Sequence, residues 1–166
     1  GHGGYKVPVY APASVQENVD FTIKAFDTAE DYRTPVLILS DGAIGQMAES
    51  VELPEGREHD PDQYDWTLKG RDTAHPTGRK MTDRIYYDFK FHEYDPHIRE
   101  RYAKMEKELQ MWEEVETEDA KIILVSYGIS SRVCREAVKT ARKKGWKVGM
   151  IRPITLWPFP KKAFAK

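Results

Sequence analysis

Apolar and polar positions fall into blocks along this chain: one helix–strand unit, a polar excursion, and one strand–helix–strand unit. Residues 7–10, Val-Pro-Val-Tyr, predict a short strand. Pro8 lacks an N–H and so belongs at a strand start or a sheet edge. Pro12 stops the strand. Ser14 and Glu17 form a capping-box pattern, in which the Ser hydroxyl accepts a free backbone N–H and the Glu carboxylate reaches back. Val15, Val19, Ile23, Phe26 and Ala29 recur at helical spacing and predict a helix over residues 15–32 with that stripe buried. Glu17, Asp20, Lys24, Asp27 and Glu30 lie outside it. Thr34-Pro35 ends the helix. The unbroken run from Val36 to Leu39 predicts a strand covered on both faces. Asp41-Gly42 turns the chain, and a short helix is expected within residues 43–50.

The pattern changes over residues 55–90, where prolines, glycines and charges crowd together. This is a long connection laid over a surface. Tyr64, Trp66, Tyr86, Tyr87 and Phe89 argue against a free linker, because such side chains need cover. Residues 96–116 predict a polar helix with Ile98, Tyr102, Met105, Leu109 and Trp112 as its apolar stripe. Residues 121–127 predict a second buried strand, with Gly128 and Ser130-Ser131 as turn and helix cap. Val133, Ala137, Val138 and Ala141 line the next helix. Lys143-Lys144-Gly145 ends it, with bases at the negative end of the helix dipole and Gly beyond it. Residues 146–151 complete a parallel strand–helix–strand crossover. So few strands leave a sheet edge exposed, which predicts self-association.

Composition narrows the function. Acids and bases nearly cancel, 27 against 26 in 166 residues, so no strong overall field attracts nucleic acid or anionic membranes. No apolar run approaches the roughly 18 residues of a membrane span. The single cysteine, Cys134, excludes an intramolecular disulfide and an all-cysteine iron–sulfur site within this chain, and fits a reducing cytoplasm.

Several segments carry candidate chemistry. The turn Asp41-Gly42-Ala43-Ile44-Gly45 follows the carboxyl end of a predicted parallel strand, the edge where open α/β sheets bind ligands. It reads first as a tight turn with an Asp cap and second as a phosphate cradle. Gly128-Ile129-Ser130-Ser131 is the equivalent turn of the second unit, with the same two readings. His92-Glu93-Tyr94-Asp95-Pro96-His97 is the densest set of metal-ligand types, but it lacks a ligand spacing such as HExxH and reads as a solvated loop. His59-Asp60 and His75 have less support. Cys134 reads as a core or boundary residue. Arg132, Arg135, Lys139 and Arg142 share one helical face, which reads as a solvated face before a nucleic-acid surface.

Three blocks resemble one enzyme family. Gly3-Gly4-Tyr5 with residues 9–17, then residues 35–47 (Pro-Val-Leu-Ile-Leu-Ser-Asp-Gly-Ala-Ile-Gly-Gln-Met), then Val125-Ser126-Tyr127-Gly128 with residues 152–160, are similar in order and spacing to the alpha-type subunit of the 2-oxoacid:ferredoxin oxidoreductases. The resemblance implies an α/β chain: residues 1–54 as the tail of a pyrimidine-binding domain for thiamine diphosphate, residues 55–119 as a connecting segment with a polar helix near 96–116, and residues 120–166 as the front of a transketolase C-terminal-like domain. It implies oxidative decarboxylation of a 2-oxoacid with coenzyme A, electrons passing to ferredoxin. Thiamine diphosphate and Mg2+ would sit at a subunit interface in the full complex, with iron–sulfur clusters on other domains or subunits. The implied partners are a thiamine diphosphate-binding subunit, a ferredoxin-like subunit and ferredoxin, in the cytoplasm, with no nucleic acid and no membrane. The family's activating carboxylate and substrate contacts lie in the part of the domain preceding residue 1, so no catalytic, cofactor-binding or metal residue is carried over. Asp41, Gly42 and Gln46 are the candidates for a subunit interface or cleft edge. Thr77-Gly78-Arg79-Lys80 with Tyr86-Tyr87 is closer to members acting on branched-chain 2-oxoacids such as 2-oxoisovalerate than to 2-oxoglutarate members, which remain an alternative. A rival of another class is a non-catalytic scaffold retaining the fold.

Overall fold

The computed structural model describes residues 5–58, 60–64, 66–78 and 91–165, without the side chains of residue 61 and residues 91–95. The chain divides into two compact units, residues 1–55 with 101–166, and residues 56–100. The first unit holds two three-stranded sheets. β1 (Val9–Tyr10) lies between β2 (Leu37–Ile38), which it pairs in parallel, and β6 (Thr155–Trp157), which it pairs antiparallel. In the other sheet β5 (Val148–Pro153) lies between β3 (Trp112–Val115), antiparallel, and β4 (Ile122–Val125), parallel. Among the described residues α1 (Val15–Tyr32), α2 (Gly42–Gln46) and α4 (Ile129–Lys143) accompany them, and α3 (Phe91–Glu108) begins in the second unit and ends in the first. The expected α/β class and the parallel crossover from β4 through α4 to β5 are both present.

α1 begins where Ser14 accepts the Glu17 N–H at 3.1 Å. The reciprocal half of the cap is displaced by one residue, because Glu17 Oε2 accepts the N–H of Ala13 at 2.7 Å. The buried stripe is also rotated from the expected one. Phe21, Ala25 and Thr28 face the core, and Phe26 is 67% exposed. Tyr10 is the cause. Its ring packs 5.7 Å from that of Phe21, and its hydroxyl shares a 2.9 Å hydrogen bond with Thr28 Oγ1. A buried phenol needs such a partner, so a threonine takes a position that hydropathy assigns outside. Val36, Ile38, Met111 and Ile154 close this core.

Three further expectations are corrected. The helix expected over residues 96–116 starts at Phe91, contains Pro96 and ends at Glu108. Residues 112–115 are a strand instead, because the backbone of Met111 is taken up by Thr155 Oγ1 and by the N–H groups of Ile154 and Thr155. The strands around Leu37 and Ile122 are covered on one face only: Leu37, Leu39, Ile123 and Val125 are all exposed. Within α4, Val138 is buried against Val148 and Met150, whereas Val133 and Ala137 point to solvent. In residues 56–100, Trp66 is covered by stacking on Tyr64 at 5.3 Å. Tyr86, Tyr87 and Phe89 lie outside the described residues.

One buried cation links the distant segments of the first unit. Arg152, on β5, has a side chain only 5% exposed. Its Nη1 donates to Glu17 Oε1 at 2.9 Å, and its Nη2 donates to Glu17 Oε2 and to the Ala11 carbonyl. Glu113 on β3 approaches Nη1 at 3.4 Å and accepts from Arg135 of α4 at 2.6 Å. Burial opposes the charge on Glu113, but Arg135 first and then Arg152 hold its carboxyl below the usual range. Close approach elsewhere requires glycine: a Cβ on Gly149 would stand 2.5 Å from the Glu116 carbonyl oxygen.

Replacing Arg152 by Met leaves Glu17 without its counter-charge and Glu113 with Arg135 alone. It should cost about 3–5 kcal/mol, read as a lowered urea midpoint. Glu17→Gln should cost less, since Glu113 still faces the guanidinium. Gly149→Ala should cost about 1–3 kcal/mol by overpacking.

Candidate functional site

The carboxyl ends of β2 and β4 lie close together, and a single side chain joins them. Asp41 Oδ1 accepts the N–H groups of Ala43 and Ile44, each at 3.0 Å, and so caps α2. Its Oδ2 accepts the N–H of Ile129 at 2.8 Å, the first residue of α4 and 88 positions away in sequence. The N–H of Ile44, with those of Ile129 and Ala43, holds the Asp41 carboxyl below its ordinary value against a smaller opposing effect of burial. Gly128 makes the second contact possible. Its φ is +60°, and a Cβ there would stand 2.8 Å from Asp41 Oδ2.

The expected serine cap of α4 is therefore corrected. Neither Ser130 nor Ser131 caps the helix; the buried Ser131 hydroxyl donates back to the Gly128 carbonyl at 2.7 Å. The cap is a carboxylate from the first segment. That disfavours the phosphate-cradle reading of both turns, because a fixed negative charge already occupies the N–H groups an anion would use.

Around Asp41 lies a cleft of about 790 Å3, walled by Leu39, Val125, Tyr127, Leu156 and Phe159, with Ser40, Ser126 and Ser130 as its polar groups. Among the described residues no Lys, Arg or His lines it. A larger groove of about 1070 Å3 runs along residues 114–120 and the bare face of β4. Its Asp119 is held by Arg142 at 2.7 Å and by Lys147 at 3.3 Å.

Of the sequence candidates, Asp41 lines the cleft, whereas Gly42 and Gln46 are exposed on α2 and do not line it. The side chains of His92 to Asp95 and the residue His59 lie outside the described residues. Among the described residues no three His, Cys, Asp or Glu are grouped to hold a metal ion. His75 pairs with Asp72 at 3.0 Å. Cys134 is half-buried against the Val138–Met150 core. Each base on the α4 face meets an acid: Arg132 with Glu49, Arg135 with Glu113, Lys139 with Glu136, and Arg142 with Asp119. Arg152 and Glu113 were missed in the sequence. The available signal was an arginine inside the apolar run of residues 148–153, since an arginine is almost never fully buried without a partner.

An α/β unit with its cleft outside the carboxyl ends of parallel strands belongs to the open-sheet class, which binds ligands at that edge. The family model described as "Pyruvate flavodoxin/ferredoxin oxidoreductase, thiamine diP-bdg" matches residues 4–111. The one described as "Pyruvate:ferredoxin oxidoreductase core domain II" matches residues 120–166. The chain belongs to this pyruvate flavodoxin/ferredoxin oxidoreductase family. It is 46% identical over 162 residues to the ketoisovalerate oxidoreductase subunit VorB of Methanothermobacter thermautotrophicus, covering 96% of this chain and 45% of that protein. It is 37% identical over 180 residues to the 2-oxoglutarate synthase subunit KorA of Methanocaldococcus jannaschii, covering 96% and 49%. The chain thus spans about half the length of the curated relatives it matches. A solved structure, the 2-oxoglutarate:ferredoxin oxidoreductase from Magnetococcus marinus with 2-oxoglutarate, coenzyme A and succinyl-CoA bound, superposes with a TM-score of 0.62 over 99% of this chain and 33% of that one. At 18% identity that likeness establishes the fold alone. Among the described residues no helix is long and apolar enough to cross a membrane.

The family's cofactor can be tested against the cleft. A diphosphate needs cations or a metal held by available carboxylates. Among the described residues the cleft offers no cation, and the oxygens of Asp41 already accept three N–H bonds. These residues do not fit the diphosphate end of thiamine diphosphate.

Asp41→Asn keeps one carbonyl oxygen and can cap α2 or α4 but not both; Asp41→Ala caps neither. Losses of about 1 kcal/mol and about 2 kcal/mol are expected in urea unfolding at pH 7. The native pKa is depressed, so this stabilisation is complete above the unfolded value of about 4 and fades as pH falls through the native value. The deficit of the Asn variant should therefore shrink below about pH 4.

Proposed function

We propose that this chain is part of the alpha-type subunit of a 2-oxoacid:ferredoxin oxidoreductase acting on 2-oxoisovalerate. The observation that carries the reading is the 46% identity to a ketoisovalerate oxidoreductase subunit, against 37% to a 2-oxoglutarate synthase subunit, each over 96% of the chain. The reaction would join 2-oxoisovalerate, coenzyme A and two oxidised ferredoxins. It would give isobutyryl-CoA, CO2, a proton and two reduced ferredoxins. In this reading residues 1–54 form the tail of the pyrimidine-binding domain and residues 120–166 the front of the transketolase C-terminal-like domain. Thiamine diphosphate and Mg2+ would be held mainly by other parts of the assembly, and the iron–sulfur clusters elsewhere in it. The contribution of this chain is architectural. Asp41 holds the two strand-end turns together, and Asp41, Gly42 and Gln46 present the edge toward a partner subunit.

The test uses the native gene product, tagged in its own cell and purified without oxygen together with its partners. Viologen reduction is followed with 2-oxoisovalerate, 2-oxoglutarate and pyruvate, with and without coenzyme A. Coenzyme A-dependent reduction fastest with 2-oxoisovalerate is expected. Preference for 2-oxoglutarate would reassign the substrate, and no activity with no co-purifying subunit would favour the scaffold reading. The isolated 166-residue chain should show neither turnover nor tight thiamine diphosphate binding by calorimetry.

A further inference from the structure

Residues 1–55 and 101–166 make one compact unit, yet the chain passes between them through residues 56–100, which form a unit of their own. The two segments share a sheet. β6 of the later segment pairs antiparallel with β1 of the earlier one, and the N–H of Ala11 donates to the Ile154 carbonyl at 2.8 Å. This pairing crosses the boundary between the two family models, since β1 lies within residues 4–111 and β6 within residues 120–166. A core forms across the same seam: Tyr10, Phe21 and Ala25 of the earlier segment are packed by Met111 and Ile154 of the later one.

The charged contacts across the seam complement one another. The earlier segment supplies carboxylates and the later one supplies donors: Arg152 to Glu17, the Ile129 N–H to Asp41, and Arg132 to Glu49 at 3.1 Å. The Arg132–Glu49 pair is largely exposed and contributes little; the buried Arg152 carries the weight. At the other end of α1, Arg101 of α3 donates to the carbonyls of Tyr32 and Arg33 at 3.3 and 3.0 Å. A cation there meets the negative end of the helix dipole. The Tyr32 hydroxyl donates to Glu108 at 2.6 Å. Two arginines of the later segment thus hold α1 at its first turn and at its last carbonyls.

We propose that residues 101–166 are a recognition partner for residues 1–55 in their own right: the two segments hold together without the peptide link between them, and the excursion of residues 56–100 is an insertion that the α/β core carries but does not need. A buried apolar centre with desolvated, paired charges is the anatomy of a stable protein–protein interface, and here it lies within one chain. Exposed loop positions are where a backbone tolerates cutting and insertion. Gly70 is such a position: it is exposed, has φ +81°, and has open space where a Cβ would stand. The inference is independent of the oxidoreductase reading.

A site-specific protease sequence inserted between Gly70 and Arg71 of the full chain tests it. Before cleavage the urea midpoint should match that of the unaltered chain. After complete cleavage the two pieces should sediment together at micromolar concentration, and hydrogen exchange should still show the amides of Ala11 and Ile129 protected. The urea midpoint should then rise with concentration, as it must for a two-piece complex, and stay constant for the uncut chain. In the cleaved chain Arg152→Met should weaken association at least about thirtyfold, because it strands a buried charge. Asp41→Ala, which removes one hydrogen bond across the seam, should weaken it about fivefold. Lys139→Ala, whose ion pair with Glu136 lies within α4, should change nothing. Pieces that separate or precipitate on cleavage, lost protection at Ala11 and Ile129, or a midpoint lowered by the insertion alone would each overturn the proposal. So would Arg152→Met and Asp41→Ala pieces that stay as tightly joined as the wild type.

Discussion

Arg152 is a guanidinium almost wholly withdrawn from water, and such a charge is tolerable only where its partners are already in place. Those partners come from three separate stretches: the helix start at Glu17, the carbonyl of Ala11, and Glu113 on β3. Arg152 and Glu17 are 135 positions apart. Glu17 is simultaneously engaged with the Ala13 N–H, so the first turn of α1 and the guanidinium hold each other in position. Through Glu113 and Arg135 the same network reaches α4. The register of β5 against β3 matters here because it puts Glu113 directly opposite Arg152. A slip of one residue would turn Arg152 to the other face.

Asp41 repeats that logic at the strand ends with neutral donors. A carboxylate that caps two helices at once fixes the spacing between two turns whose sequences look like independent anion sites. Once they are joined, the N–H groups of Ala43, Ile44 and Ile129 are taken by the carboxylate, and the cleft between them is apolar apart from hydroxyls and Asp41 itself. Such a cleft cannot neutralise a diphosphate or a distal carboxylate. It can position an apolar surface, which is the role expected of an edge that completes a larger assembly.

The local signals in the chain were read well and the long-range ones were not. Ser14, Thr34-Pro35 and Gly145 punctuate the chain through short-range hydrogen bonds and backbone preferences, so α1 and the crossover through α4 were legible. Asp41 was legible as a cap, but only of the helix that follows it. That it also caps α4 depends on the approach of Gly128, which no local pattern encodes. Residues 112–115 went the other way. Their helical spacing with Met105 and Leu109 was real, but the backbone of Met111 found partners in residues 154 and 155 and tertiary pairing prevailed. The stripe of α1 was misplaced because Thr28 counts as polar until the hydroxyl of Tyr10 is set opposite it.

The two apolar strand runs raise a further point about how sequence encodes burial. Residues 36–39 and 122–125 have no polar alternation, the pattern of strands covered on both faces. The structure covers them on one face, leaving Leu37, Leu39, Ile123 and Val125 in the open. A sequence composed for two-sided burial therefore meets a one-sided structure at both strands. Exposed runs of this kind on an unprotected edge favour association over isolation. The physical demand is for an apolar surface from outside the described residues, and for one that tolerates the acids along residues 114–118.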